Sequence, residues 1–189
     1  LDHLLGADTV HQGLLLEAEP LPEPSLDDLA ERAVDGGPLV LLDHVTDPHN
    51  AGAVLRSAAA FGASGLIMTR RHSPPLNGVL AKSASGALDL IPVLLVQNLA
   101  KTMLELKERG FRLIGLEGTS ETSLEDEKFE GPCGLLLGAE GKGLRDLTSE
   151  TCDRLVSITT GDALASLNVS NAAAVALHWA ALSRKRRSK

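Results

Sequence analysis

Four polar side chains crowd the start of one helical stretch. Ser166, Asn168, Ser170 and Asn171 fall within six residues, more than a single N-cap needs. A loop of small residues with one glycine, Gly161-Asp-Ala-Leu-Ala165, precedes them, and such residues let a ligand approach the backbone. On their own they read as a capped helix after a tight strand-to-helix turn. A second group is Asp47-Pro-His-Asn50-Ala-Gly-Ala-Val-Leu-Arg56. Here Asn50 is expected to cap a helix, with Arg56 on a neighbouring side of it. That arginine either salt-bridges an acid across the fold or presents a fixed guanidinium to phosphate or a developing oxyanion. A third is Leu135-Leu-Leu137-Gly138-Ala139-Glu140-Gly141-Lys-Gly143. Three glycines after an apolar run suggest a phosphate loop, but neither the Walker spacing nor the dinucleotide pattern fits. Glu140 inside the loop repels phosphate. It either caps the next helix from the surface or holds hydroxyls and amides around a less anionic ligand. Cys133 reads as packing, and His44, His49 and His178 as structural or surface groups. No Ser-His-Asp set can be assembled.

The elements that must position these groups alternate. Residues 1–37 read as a linker with three prolines, a short strand at 13–16 and a helix over 25–34 capped from Ser25. The main domain, 38–189, shows apolar runs at 39–45, 65–69, 90–96, 111–117, 134–137 and 154–158. Helical patterns fall at 50–61, 76–85, 99–109, 144–150 and 167–184. Pro92 puts the third run at an edge or a bulge. Unbroken apolar strands between helices predict an α/β fold with a parallel sheet covered on both faces. Ligands of such sheets bind at the carboxyl ends of strands. That rule selects 43–50, 117–119, 138–143 and 157–171.

Composition narrows the classes. The chain has 189 residues, 43% hydrophobic and 23% charged, a net charge of −7, one Trp, three Phe and no Tyr. The core must be aliphatic, and stacking of bases on aromatic platforms is disfavoured. Two cysteines give neither a metal spacing nor a disulfide framework, so no metal is expected. With no membrane-length run and no signal peptide, a cytoplasmic protein is expected. Acids dominate 17–35, seven against one Arg, and 117–130, six against one Lys, while the tail from Arg184 is basic. The charge argues mildly against nucleic acid. The first residue is Leu1, which reads as a fragment of a longer chain.

Taken together, the segments resemble the SpoU/TrmH family of SPOUT RNA ribose 2′-O-methyltransferases. The stretch from Asp47 to Gly62 looks like its first motif, Leu137-Gly-Ala-Glu140-Gly-Lys-Gly-Leu144 like its second, and Ser166-Leu-Asn168-Val-Ser170-Asn-Ala172 like its third. Val10-His-Gln-Gly13 resembles the linker that follows an extra RNA-binding domain in the bacterial 23S rRNA guanosine methylases of this family. The resemblance implies a C-terminal deep trefoil knot, bound S-adenosylmethionine, an obligate homodimer and an RNA substrate, expected to be a guanosine of large-subunit rRNA. It implies Arg56 as the catalytic residue at the ribose, supported by Asn50, Glu140, Ser166 and Asn168. Leu137, Gly138, Ala139, Gly141, Ile158, Thr160 and Leu167 are implied to hold the adenosyl group. Thr159-Thr160 stands where the family usually has Pro-Met, and Asp162-Ala163 where glycines are common. The alternatives are a tRNA methyltransferase of the same family, a catalytically silent RNA-binding module on the same fold, and a nucleotide-binding Rossmann enzyme.

Overall fold

The six apolar runs of the main domain become six strands, all paired parallel. The computed structural model describes residues 2–5, 13–15, 17, 19, 22–161 and 167–185. Its elements are α1 Leu26–Asp35, β1 Leu39–Asp43, α2 Pro48–Ala60, β2 Gly65–Thr69, α3 Gly78–Ala84, β3 Val93–Val96 and α4 Leu99–Glu108. They continue with β4 Arg112–Leu116, β5 Cys133–Gly138, α5 Asp146–Thr151, β6 Arg154–Val156 and α6 Val169–Lys185. The strand order is β3-β2-β1-β5-β4-β6.

Burial explains why the runs do not alternate. Every residue of β1 and β2 is buried, because helices cover both faces. Val40, Leu42, Leu66, Met68, Leu135 and Leu137 face α2, α3 and α6, joining Val54, Leu55, Leu80, Ala173 and Leu177 in one core. Leu39, Leu41, Ile67, Leu113 and Leu136 face the other way, with Leu29 and Ala33 of α1 and Met103 and Leu106 of α4. Helix α1 thus packs on the sheet, its start fixed by a capping box in which Ser25 Oγ accepts from Asp28 N and Asp28 Oδ2 accepts from Ser25 N.

Several boundaries differ from expectation, each for a local reason. Strand β1 stops at Asp43 because His44 takes a left-handed backbone, φ 58. Asn50 does not cap α2. Asp47 does, its carboxylate accepting from His49 N at 3.0 Å, because Pro48 supplies a first helical residue with φ already set. Pro92 lies just outside β3, which is an edge strand, and its carbonyl accepts from Leu66 N. Gly13 to Leu15 form no strand: Gly13 is in a turn with φ 80, and Leu14 and Leu15 are exposed. Among the described residues no helix is long and apolar enough to cross a membrane, and no group of three His, Cys, Asp or Glu is placed to hold a metal.

Candidate methyl-transfer site

The site begins where β5 ends. The chain turns back at once after Gly138, with Gly143 N donating to Ala139 O at 2.8 Å. A Cβ on Gly138 would sit 2.0 Å from the Gly143 carbonyl carbon, so no other residue fits there. Gly141 and Gly143 complete the turn at φ 76 and 68, which favour glycine. Asp43, paired opposite Gly138, then fastens the far end of the loop. Its buried carboxylate accepts from Arg145 N at 3.0 Å and from Arg145 Nε at 2.7 Å. This pair was invisible in sequence, where Asp43 merely ends an apolar run.

Asn168 joins three elements. Its Nδ2 donates to Asn50 Oδ1 at 3.0 Å and to Glu140 Oε2 at 3.2 Å. Its Oδ1 accepts from Ser170 N at 2.9 Å and Ser170 Oγ at 2.6 Å. The backbone donor of Ser170 fixes which amide atom is oxygen, since an N–H needs an acceptor. The excess of polar side chains at this helix start therefore splits its work: Asn168 caps α6 with one atom and ties Asn50 to Glu140 with the other. Arg56 stands apart. It is six residues past Asn50 on α2, about 120° around the helix, exposed, and without a hydrogen bond or ion pair among the described residues. Ser166 lies outside the described residues.

Glu140 also lines a cavity of about 380 Å³ over the carboxyl ends of β4, β5 and β6. Leu137, Gly138, Ala139, Gly141, Ile158, Thr160 and Leu167, the residues expected around the adenosyl group, all line it. So do Leu116 to Thr119, Lys142, Gly143, Val156, Val169 and Ala172, of which only Leu116 and Val156 lie outside the segments that strand ends and motifs single out. Among the described residues, two lining carboxylates, Glu117 and Glu140, stand against one lysine, Lys142. Such a lining favours a ligand bearing positive charge and hydroxyls over a polyphosphate.

The departure at Thr159 is absorbed by hydrogen bonds. Thr159 Oγ1 lies 3.3 Å from Ser123 Oγ and donates to Glu125 Oε2 at 3.4 Å. The Ser123 hydroxyl holds Glu125 below the ordinary carboxylate range, against the opposing effect of burial, with Thr159 adding to the shift. Leu124 N donates to Ser157 O, and Ser157 N to Thr122 O, both at 2.8 Å, so this segment is laced to the chain leaving β6. Neither cysteine is a nucleophile: burial raises Cys133 to about 11 and Cys152 to about 12.

The SpoU rRNA Methylase family model matches residues 37–178, a span that contains all three motifs and every described site residue. The chain belongs to this family. It is a methyltransferase by that membership. A Ralstonia nicotianae protein named 23S rRNA (guanosine-2′-O-)-methyltransferase RlmB is 47% identical over 176 residues, covering 92% of this chain and 70% of its own length. The crystal structure of the SpoU methyltransferase AviRb from Streptomyces viridochromogenes, in complex with AdoMet, matches with a TM-score of 0.76 at 32% identity, over 89% of this chain and 67% of that one. The A. aeolicus TrmH/SpoU tRNA modifying enzyme shares the fold, with a TM-score of 0.74 at 24% identity over 86% of this chain and 84% of its own.

Proposed function

We propose that this SpoU methylase transfers a methyl group from S-adenosylmethionine to the ribose 2′-hydroxyl of a guanosine in large-subunit rRNA. The observation that carries this reading is the Asn50–Asn168–Glu140 cluster at the rim of the loop-walled cavity. The name of the RlmB relative supports the substrate, and the AdoMet held by AviRb supports the methyl donor. The cavity fits that donor: aliphatic walls from Leu116, Leu137, Val156 and Ile158 suit an adenine, and Glu117 and Glu140 suit hydroxyls and a cation. When bound, S-adenosylmethionine supplies an electrophilic methyl group on a sulfonium.

The chain's own residues do the rest. The glycine turn after β5 brings backbone, rather than side chains, to the ligand. Asn168 holds Glu140 and Asn50 in one orientation, so the ribose meets a prearranged polar rim. Arg56 is the proposed catalytic residue at the 2′-hydroxyl. Arginine stays protonated in proteins and is a poor base, so its role is to lower the hydroxyl pKa or anchor the adjacent phosphate, the proton leaving to water or a phosphate oxygen. Ser166 is proposed, from its motif alone, to assist the same step.

Three finer assignments complete the reading. The lacing of 122–124 to Ser157, followed by return of the chain to α6 beside α2, supports a trefoil knot threaded through the 117–132 segment. The exposed Val175 on α6, and Arg56 exposed on the neighbouring α2, support a homodimer through that face. Residues 38–189 are the catalytic unit, and a ribosomal substrate implies a cytoplasmic enzyme. Incubation with large-subunit rRNA transcripts and S-adenosylmethionine, followed by nucleoside mass spectrometry, should yield 2′-O-methylguanosine. Methylation of tRNA alone, or no product from folded protein that binds the donor, would sink the reading.

A further inference from the structure

A second cavity of about 380 Å³ opens on the same carboxyl edge, over β1, β2 and β3. Among the described residues its ionisable lining is basic throughout, His44, Arg71, His72 and Arg145, beside the apolar Leu99, Ala100 and Leu147. In a chain of net charge −7 that is a local reversal. Asp43, the carboxylate next to His44 in the chain, is buried and committed to Arg145 through the backbone N, Nε and Nη2. Arg71 is exposed, and its side chain makes no hydrogen bond or ion pair among the described residues. His44 and His72 meet with ring centroids 4.6 Å apart, and both hold left-handed backbones, φ 58 and 65. That conformation is uncommon for any residue with a side chain, and here it occurs twice at one rim. Asn98, which caps α4 with Oδ1 on Lys101 N at 3.1 Å, keeps its amide N–H groups for the cavity, beside Leu99 and Ala100 in the first turn.

We infer that this cavity binds a phosphodiester of the RNA chain, away from the nucleotide that is methylated; the inference rests on the RNA methylation reading above. Donors and positive charge without an unpaired acid suit a phosphate oxygen. The methyl-transfer cavity, with Glu117 and Glu140, repels one. Three strand spacings separate the middles of the two cavities, about 14 Å, so the phosphate held here is not the one beside the reacting ribose. Contacts to phosphate also suit a chain that is only 2% aromatic. His44 is held below the ordinary histidine value of 6.5 by burial first, then by Arg145, with Asp43 opposing and His72 and Lys142 adding. A phosphate among these groups and Arg71 favours the protonated ring, so RNA binding takes up protons and tightens as pH falls.

The test is fluorescence anisotropy with a labelled single-stranded oligoribonucleotide, on the wild type and on Arg71→Gln/His72→Asn, with S-adenosylmethionine affinity measured on the same samples. Asparagine tolerates the left-handed backbone, and both side chains are exposed, so the fold is kept. The expected result is about tenfold weaker RNA binding, a salt slope smaller by about 1 to 2, and unchanged S-adenosylmethionine affinity. Equal RNA binding by both proteins overturns the cavity assignment and leaves the methylation reading standing. Binding of the donor but of no RNA by the wild type overturns both. Histidine NMR shifts on adding inorganic phosphate but none on adding RNA would mean a free-phosphate site, and overturn the inference.

Discussion

Two cavities of the same size sit on one edge of one sheet, and their linings have opposite character. Over β4, β5 and β6 the wall is glycine backbone and aliphatic side chains, with two carboxylates against one lysine. Over β1, β2 and β3 the charge is reversed: two histidines and two arginines stand among amides, hydroxyls and the apolar Leu99, Ala100 and Leu147. The sheet rule that ligands gather at carboxyl ends predicts both positions. It does not predict chemistry. That comes from the connections: the turn after β5 sets glycine backbone beside Glu140 and Lys142, with Glu117 following β4, whereas the turns after β1 and β2 each lift a histidine to the rim. The Asp43–Arg145 pair lies between them, fastening the glycine loop on one side and presenting Arg145 to the other cavity.

The sharpest way to break the contrast is Gly138→Ala. The new Cβ would strike the Gly143 backbone at 2.0 Å, so the loop must move. Affinity for S-adenosylmethionine should fall by at least about a hundredfold by calorimetry, an overpacking cost of about 3 kcal/mol, while oligoribonucleotide binding drops by less than about threefold, or about 0.7 kcal/mol. Asn168→Ala should separate binding from turnover on the acidic side alone. We expect kcat down by about a hundredfold, about 2.7 kcal/mol, with donor affinity within about threefold; a change confined to KM would remove the rim's catalytic role. Arg56→Lys bears on the proposed role at the 2′-hydroxyl, and full activity with an unchanged pH–rate profile would exclude a special guanidinium role.

Asp43→Ala should damage both cavities together. Removing one partner of a buried pair costs about 3–5 kcal/mol; Arg145 is 48% exposed, which lowers our expectation to about 2 kcal/mol in urea denaturation. Loss at only one cavity would show that the pair is not shared. Acid gives the smallest effect and should arrive in order. His44 has a depressed pKa, so the folded state binds fewer protons than the unfolded one, and stability declines as pH drops below 6.5 through the folded value. Asp153 follows at lower pH. Burial raises it, but the Leu113 N–H and the Lys107 ammonium bring it below the ordinary 3.8, so its contribution is present above that value and disappears as pH falls through the folded one. A fall in Tm confined to the lower range in His44→Asn would confirm that order.

Much of this architecture was legible in the residues. Fully buried parallel strands leave continuous apolar runs, and all six could be read, as could the capping of α1 from Ser25. The cluster was legible as three motifs, but its geometry was not. Asn50 looked like a cap, although Asp47 followed by Pro48 is itself a helix-start signal that goes unread when the polar Asn50 is given the post. Arg56 stood in the same motif as Asn50, yet helical spacing puts the two on different sides. Asp43 and His44 fell in the selected segment 43–50 without a legible role, and His72 escaped altogether, because these roles depend on strands that become neighbours only through the order β3-β2-β1-β5-β4-β6. His44 and His72 lie on separate turns and meet only because β1 and β2 are adjacent.

That strand order also dictates a sequence of events during synthesis. The segment from β1 to β3, with α2 and α3, is complete once residue 96 has emerged, and it holds one half of the edge, including both rim histidines. Its inner strand, Leu39–Asp43, must then wait for β5 to arrive, with a row of backbone donors and acceptors on one side unmatched. Until Gly134 to Gly138 pair there, Asp43 has no Arg145 to hold. The nascent protein is therefore expected to expose an unpaired strand edge along β1 until β5 emerges, with the methyl-transfer half assembled last.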